Sequence, residues 1–110
     1  MEEKNAIIRK TTISSADYGI LVGSLTLEYG GGSIQDFGMY TLYNPRLKED
    51  RNFGAFFIWR CMQIAGVDDW CIMKGRPLRV RIGNNGLIEA IGNFIEDKWF
   101  CPTEEYNTLK

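Results

Sequence analysis

The sequence predicts an α+β domain in which an antiparallel sheet of about five strands packs on one main helix, in the order β-β-β-α-β-β. Apolar and polar residues alternate over residues 18–29 and 78–82, which is typical of half-buried strands. One segment, residues 53–65, is long and apolar enough for a core helix. The chain has 110 residues and no linker-like stretch, which predicts a single domain over residues 1–110.

Three strands precede the helix. Residues 6–13 are rich in β-branched side chains, and the alternation over residues 18–29 gives the second strand. Small residues at 30–33 interrupt the pattern, and a third strand follows over about residues 34–42. Gly38 inside this strand predicts a bulge or a close approach by another part of the chain.

The helix has a start signal and a stop signal. Residues 43–52 carry five charges and an Asn-Pro pair, so we expect an exposed connection that ends in Asn52 as the N-cap. Gly66 follows the last apolar residue, and we expect it to end the helix in a left-handed conformation. A short helical turn capped by Asp68 is expected over residues 67–73.

Residues 78–82 and 88–92 predict a hairpin whose three-residue loop has Gly86 in the left-handed conformation. On the outer face of the sheet, Arg81 is expected opposite Glu89. The register expected for the inner face has three pairs, which are Ile82–Ile88, Val80–Ala90 and Leu78–Gly92.

The helix carries more apolar surface than one sheet can cover. On a helical wheel, Arg60 and Gln63 mark the solvent side, yet Phe56 falls between them and Trp59 lies on the flank. The residues expected in the core lie opposite, and they are Ile58, Cys61, Met62 and Ala65.

This apolar surplus can be covered in two ways. Residues 94–102, which include Trp99 and Phe100, would fold back over the helix and leave residues 103–110 as a frayed tail. Alternatively, the helix aromatics form an interface with a foreign protein or with a second copy of the chain, since aromatic residues are enriched at interfaces.

We expect the partner-binding residues to combine these aromatics with a basic strand. Arg79 and Arg81 are two positions apart and so share one strand face, which could bind an acidic protein surface. The alternative is that this face is solvated and its arginines pair with carboxylates of the same chain. No aromatic residue is interleaved among these cations in sequence, so direct nucleic-acid binding is not expected. The predicted partner-binding set is Phe56, Trp59, Arg60, Arg76, Arg79 and Arg81.

The glycine run is the second candidate site. Backbone N–H groups of Gly30, Gly31, Gly32 and Ser33 would approach an anion closely, because three of the four residues lack side chains. No Gly-Lys-Ser or Gly-Lys-Thr follows, so the run matches no phosphate-binding motif, and a flexible hairpin loop is the favoured interpretation.

Composition argues against catalysis. The chain has no histidine, which removes the commonest general base and most zinc sites, so we expect no catalytic residue, cofactor or metal. Three cysteines without a Cys-x-x-Cys spacing indicate reduced thiols. Thirteen basic and fourteen acidic residues give no global field for nucleic acid or membranes. With neither a signal sequence nor a membrane span, we expect a cytoplasmic protein.

Three stretches resemble a family of small proteins encoded by bacteriophages and prophages. They are residues 29–40 (Tyr-Gly-Gly-Gly, then Gln35 and Phe-Gly-x-Tyr), residues 66–70 (Gly-Val-x-x-Trp) and residues 91–102 (Ile-Gly, then Asp-Lys-Trp-Phe-x-Pro). The resemblance implies a phage accessory protein such as an anti-CRISPR protein, an inhibitor of host antiviral defence, and it implies no catalytic residues.

Three functional hypotheses follow. The first is a non-enzymatic inhibitor that acts by stoichiometric binding to a host defence protein or ribonucleoprotein complex in the host cytoplasm. The second is a homo-oligomer that sequesters a nucleotide signal with the glycine loop and Arg79 or Arg81. The third is a nucleic-acid-binding accessory protein, whose affinity would fall steeply with salt. A homodimer is compatible with the first two hypotheses.

Overall fold

A six-stranded antiparallel sheet packs around one long helix, which confirms the predicted α+β class. The computed structural model describes residues 2–15, 19–43 and 53–109, and the side chains of these residues except at 39–43, 53 and 107–109. The elements in chain order are β1 (Glu2–Ser15), β2 (Leu21–Tyr29), β3 (Ser33–Tyr43), α1 (Phe53–Ala65), β4 (Pro77–Ile82), β5 (Ile88–Asn93), β6 (Trp99–Phe100) and α2 (Pro102–Leu109), with a 3-10 turn at Trp70–Ile72.

The strands lie in the order β3-β2-β1-β4-β5-β6, with β1 near the centre of the sheet. Helix α1 has the predicted bounds, and Gly66 after it is left-handed at φ 75°, as predicted. Two additions exceed the prediction, namely β6 and α2. The exposed connection was expected over residues 43–52; Tyr43 is the last residue of β3, and residues 44–52, including the expected Asn52 cap, lie outside the described residues.

The hydrophobic core lies between the inner face of the sheet and α1. Helix α1 contributes Phe57, Cys61 and Ile64, which are fully buried. The ring of Phe57 fills the space where a side chain at Gly38 would lie, and Gly38 has φ 115° in a bulged part of β3. Both expectations for this glycine are confirmed, and any larger residue there would displace a core ring. The strands supply the rest of the buried face, including Ile8, Leu25, Leu27, Leu78, Val80 and Ile91.

The β4–β5 register differs from the prediction beyond its first pair. Ile82 pairs with Ile88 as expected, and Gly86 is left-handed, but Val80 pairs with Ile91 because a bulge at Glu89 shifts the register by one residue. The bulge turns Ile91 toward the core, where it is fully buried, and burying isoleucine removes more apolar area from water than burying alanine. The remaining pairs are Arg81–Ala90, Arg79–Gly92 and Leu78–Asn93, so Arg81 does not face Glu89.

The C-terminal segment is ordered, and the expectation of a frayed tail over residues 103–110 is wrong for the described part. Pro102 opens helix α2, a position where its missing N–H costs nothing. Tyr106 anchors α2 in the core. One further local correction concerns the 3-10 turn, where Asp69 rather than Asp68 is the cap and accepts a 2.8 Å hydrogen bond from the Cys71 N–H.

A side-chain bridge brings the two ends of the sheet together around α1. The Gln35 amide on β3 donates to the Gly86 carbonyl at 3.1 Å and accepts from the Ile88 N–H at 2.6 Å, which are backbone groups of the β4–β5 hairpin. Phe37 of β3 and Phe100 of β6 also meet edge to face, with ring centroids 6.2 Å apart. These contacts therefore join the β3 edge of the sheet to the β5–β6 edge.

Candidate functional site

The predicted partner-binding residues fall on two surfaces that meet at strand β6. Phe56, Trp59 and Arg60 lie on α1, which covers the inner face of the sheet. Arg79 and Arg81 lie on β4 and point to the outer face, since their neighbours Leu78, Val80 and Ile82 are buried inside. The six residues do not form one continuous patch, and the remaining one, Arg76, is exposed in the loop before β4.

Trp59 is more exposed than the other described aromatic side chains of α1, Phe56 and Phe57, with 54% of its surface accessible. Its described ring neighbour is Phe56, whose centroid is 6.0 Å away. Ala55 and Gln63, which flank Trp59 on the helical wheel, are exposed as well. The solvent side of α1 is therefore centred on Trp59, not between Arg60 and Gln63 as the wheel predicted.

Phe56 is half-buried because the C-terminal segment covers it. Its ring meets Phe100 edge to face at 6.1 Å and Tyr106 at 5.9 Å. Phe100 in turn packs against Phe57 at 6.0 Å, so this aromatic cluster joins α1 to the core. Of the two aromatics predicted to fold back over α1, Phe100 covers Phe56, but Trp99 lies on the outer face of the sheet over Gly92, and Trp59 stays exposed.

Arg60 is held inside the fold. Its Nε donates to the Glu105 carboxylate at 2.8 Å, and its Nη2 donates to the Trp99 carbonyl at 2.9 Å. A third donor reaches Gln63 at 2.7 Å. The ion pair moves Arg60 out of solvent and fastens α2 to α1, which explains why the wheel misplaced the solvent side. The charge of Arg60 is consequently neutralised by α2.

Trp99 is a site residue that sequence reasoning missed. It pairs with Gly92, and its indole lies over this glycine on the outer face, where a side chain at residue 92 would collide with it. The ring sits 4.9 Å from the guanidinium carbon of Arg79 and 3.8 Å from that of Arg81. The aromatic ring is therefore interleaved with these cations in space, although not in sequence. The available signal was a glycine facing a tryptophan across adjacent strands.

The two arginines differ in how they are bonded. Arg79 donates to the carbonyls of Asn93 and Glu96, both at 2.8 Å, and lies 3.9 Å from the Glu3 carboxylate. Arg81 has no carboxylate within 4 Å and no hydrogen bond from its guanidinium among the residues that the structure describes. Stacking on Trp99 thus orients Arg81 while its donors stay available.

The glycine loop lines a groove of about 490 Å³ on the outer face. Gly30, Gly31 and Gly32 form one wall and all have positive φ, whereas Ser33 starts β3 and does not line the groove. Among the described residues that line the groove, Glu28 is the one with a charged side chain, and its carboxylate forms an ion pair with Arg9 at 3.3 Å. The remaining lining residues are Asn5, Ala6, Ile7, Tyr29, Pro77 and Phe94.

The three cysteines are unpaired and occupy different environments. Cys61 on α1 is fully buried, Cys71 in the 3-10 turn is exposed, and Cys101 is partly buried. Burial raises the pKa of the Cys61 thiol well above its usual value, and the charge of Arg60 offsets this only in part. Among the described residues, no group of three or more Cys, Asp or Glu side chains is placed to hold a metal ion.

Comparisons with known proteins did not identify a relative of this chain. No protein-family model, curated protein or solved structure matches this chain. No helix in the described ranges has the length and apolar character needed to cross a bilayer.

Proposed function

We propose that this protein is a non-enzymatic inhibitor that binds a host antiviral defence complex stoichiometrically, with Trp59 at the centre of its binding surface. The exposed indole of Trp59 carries the proposal. Tryptophan is among the residues most enriched in interface hot spots, and the solvent side of a surface helix is normally polar.

The surroundings of Trp59 suit docking by shape more than by charge. Phe56 supports the indole from one side, and the Arg60–Glu105 ion pair beside it carries no net charge. Its other exposed neighbours on α1 are uncharged. Burying such a patch against a protein would supply apolar contact area with little desolvation of charge.

The resemblance to phage-encoded proteins supplies the class of partner. Phage accessory proteins of this size commonly act on a host defence protein or ribonucleoprotein complex, and a net charge of −1 is too small for electrostatic mimicry of DNA. The proposal is therefore a cytoplasmic anti-CRISPR-like inhibitor that occupies a protein surface of its target.

Plaque formation on a host with active CRISPR interference tests this function. Expression of the wild-type chain should restore plaques by a targeted phage, and Trp59→Ala should abolish the restoration. Ile95→Ala is the matched control, because Ile95 is also an exposed apolar residue, 87% accessible, in the loop between β5 and β6. No restoration by the wild-type chain, or equal loss in both variants, would contradict the proposal.

A binding measurement separates stoichiometric inhibition from enzymatic inhibition and from self-association. The wild-type chain should form an equimolar complex with its target, and Trp59→Ala should weaken that complex about 30-fold, as expected for a hot-spot residue. Inhibition that continues to rise with time at substoichiometric amounts would instead indicate an enzyme. Self-association through Trp59 without a target would indicate a homodimer interface.

The second candidate function is sequestration of a nucleotide in the groove beside the glycine loop. Gly30, Gly31 and Gly32 line the groove, but the Gly32 N–H donates to the Tyr29 carbonyl at 3.3 Å, and the Glu28 carboxylate in the lining opposes a phosphate. Arg79 and Arg81 are oriented toward Trp99 and do not line the groove. Denaturing the purified protein and finding no nucleotide by absorbance at 260 nm would remove this candidate.

A further inference from the structure

We propose that the outer face of β1 and β4 binds an extended acidic segment of the partner protein, with a carboxylate of that segment at Arg81 and an apolar side chain in the groove beside Ile7. This inference rests on the proposed function, because it takes the occupant to be a protein. It adds a second contact surface, on the opposite side of the sheet from Trp59.

The carboxylate end of the surface is the guanidinium of Arg81. Its guanidinium carbon lies 3.8 Å from the centroid of the Trp99 indole, whose own Nε1–H donates to Asp97 at 3.0 Å and fixes the ring. A guanidinium presents a planar fork of donors that matches a carboxylate in bidentate fashion. Among the described residues, the Arg81 guanidinium makes no hydrogen bond to the rest of the protein, so its donors are available to an incoming carboxylate.

The apolar end is the groove at the other end of the same strands. Ile7 and Phe94, which line it, are 44% and 43% exposed, and Pro77 lies across from Ile7 in the sheet. The wall formed by Gly30–Gly32 has no side chains, so a ligand side chain can approach the backbone. The groove volume, about 490 Å³, is ample for one large aliphatic or aromatic side chain.

Register places both ends on one straight path. Ile7 pairs with Pro77, Asn5 with Arg79 and Glu3 with Arg81, so alternate pairs share the outer face. Pro77 and Arg81 are four residues apart on β4, a span of roughly 13 Å at about 3.3 Å per residue. An extended segment whose apolar and acidic residues are also four positions apart would meet both ends at once.

The charges around this path favour a protein segment over nucleic acid. Carboxylates of Glu3, Glu28 and Glu96 flank the groove and the arginines, and Asp97 lies beside Trp99. A continuous row of phosphates would be repelled by all of these carboxylates, whereas a segment with one acidic side chain would bring a single negative charge to Arg81.

A peptide titration followed by NMR tests the inference on the full chain. The probe is a short capped peptide in a serine-glycine background that carries a leucine and, four residues later, a glutamate. We expect it to shift the indole N–H resonance of Trp99. Replacing the glutamate by glutamine, or the leucine by serine, should each weaken binding about tenfold.

Protein variants locate the contact. Arg81→Gln should weaken peptide binding about tenfold, while Lys10→Gln, which removes one positive charge from an exposed position of β1 outside the proposed surface, should leave it unchanged. Arg81→Lys keeps the charge and loses the planar stack, so we expect an intermediate affinity. Retained NMR dispersion shows that each variant is folded.

Three results would overturn the inference. They are an unshifted Trp99 indole resonance at millimolar peptide, equal losses in Arg81→Gln and Lys10→Gln, and tighter binding of an oligothymidylate of equal charge, which would assign the surface to nucleic acid. Trp59→Ala should leave peptide binding intact. If the peptide fails to bind while Trp59 is still required for inhibition, only this inference falls, and the reverse pattern removes the Trp59 surface alone.

Discussion

Phe56 and Trp59 are neighbours on α1, yet the molecule treats them differently. Their rings touch, at a centroid distance of 6.0 Å, but Phe56 is half-buried beneath Phe100 and Tyr106, whereas Trp59 is exposed. The helix itself does not cause the difference, since both residues lie on its apolar surplus. Within the described part of the chain, the C-terminal segment therefore covers Phe56 and leaves Trp59 exposed.

The largest expected effect comes from the covered side. Phe100→Ala removes a fully buried ring that packs on Phe37, Phe56, Phe57 and Tyr106, and should lower the free energy of unfolding by about 4 kcal/mol. Urea denaturation measures this change. A loss below about 1 kcal/mol would mean that the C-terminal segment does not cover α1 in solution.

Loss of the ion pair that fastens α2 to α1 should have the next largest effect on stability. Arg60→Ala removes the ion pair and the hydrogen bonds that Arg60 makes to Glu105 and Trp99, and should cost about 2 kcal/mol. Hydrogen exchange should rise in α2 before it rises in β1. Arg76→Ala, at an exposed cation, is the control and should change stability by less than about 0.5 kcal/mol. Equal costs in the two variants would show that the ion pair does not hold α2.

The buried thiol of Cys61 should make the stability of the protein depend on pH. The folded state raises the pKa of Cys61, so the unfolded state ionises first as pH rises. The stability that this thiol contributes is fully present below the ordinary thiol pKa, about 8.5, and is lost above it. The urea concentration at the denaturation midpoint should therefore decrease as the pH is raised from neutral to alkaline. In Cys61→Ala this decrease should be smaller. An unchanged slope in Cys61→Ala would assign the dependence to other groups.

A thiol-labelling experiment checks the same assignment without denaturant. Exposed Cys71 should react rapidly with a thiol reagent, while Cys61 should react only on unfolding. Rapid labelling of Cys61 in the native protein would contradict its burial.

The smallest expected effect on stability belongs to the uncovered ring. Trp59→Ala removes a side chain that is mostly in water, so the free energy of unfolding should change by less than about 0.5 kcal/mol. Phe56→Ala is the sharpest contrast, because it empties part of the aromatic cluster and should cost several times more. Comparable losses in the two variants would remove the distinction between a covered and an uncovered ring.

Local patterns in the sequence were sufficient for most elements. The bounds of α1, the left-handed Gly66 and Gly86 and the close approach at Gly38 follow from chain-local signals. The apolar surplus of α1 was also visible, since it depends only on helical periodicity.

What the sequence could not reveal depends on contacts between distant segments. The solvent side of α1 was misjudged because Arg60 is drawn inward by Glu105, a residue 45 positions away. The register of β5 was misjudged because burial of Ile91 outweighs regular pairing. Trp99 was missed because its neighbours Arg79 and Arg81 are brought to it by the sheet and not by the chain.

The most direct test of the account is the environment of Trp59 in the free protein and in the complex. Trp70→Phe and Trp99→Phe leave Trp59 as the sole tryptophan, and its fluorescence can be followed as the target is added. We predict strong acrylamide quenching of the free protein, then a shift of emission to shorter wavelength and loss of quenching in the equimolar complex. Emission and quenching that remain unchanged on complex formation would contradict the claim that Trp59 is the binding surface.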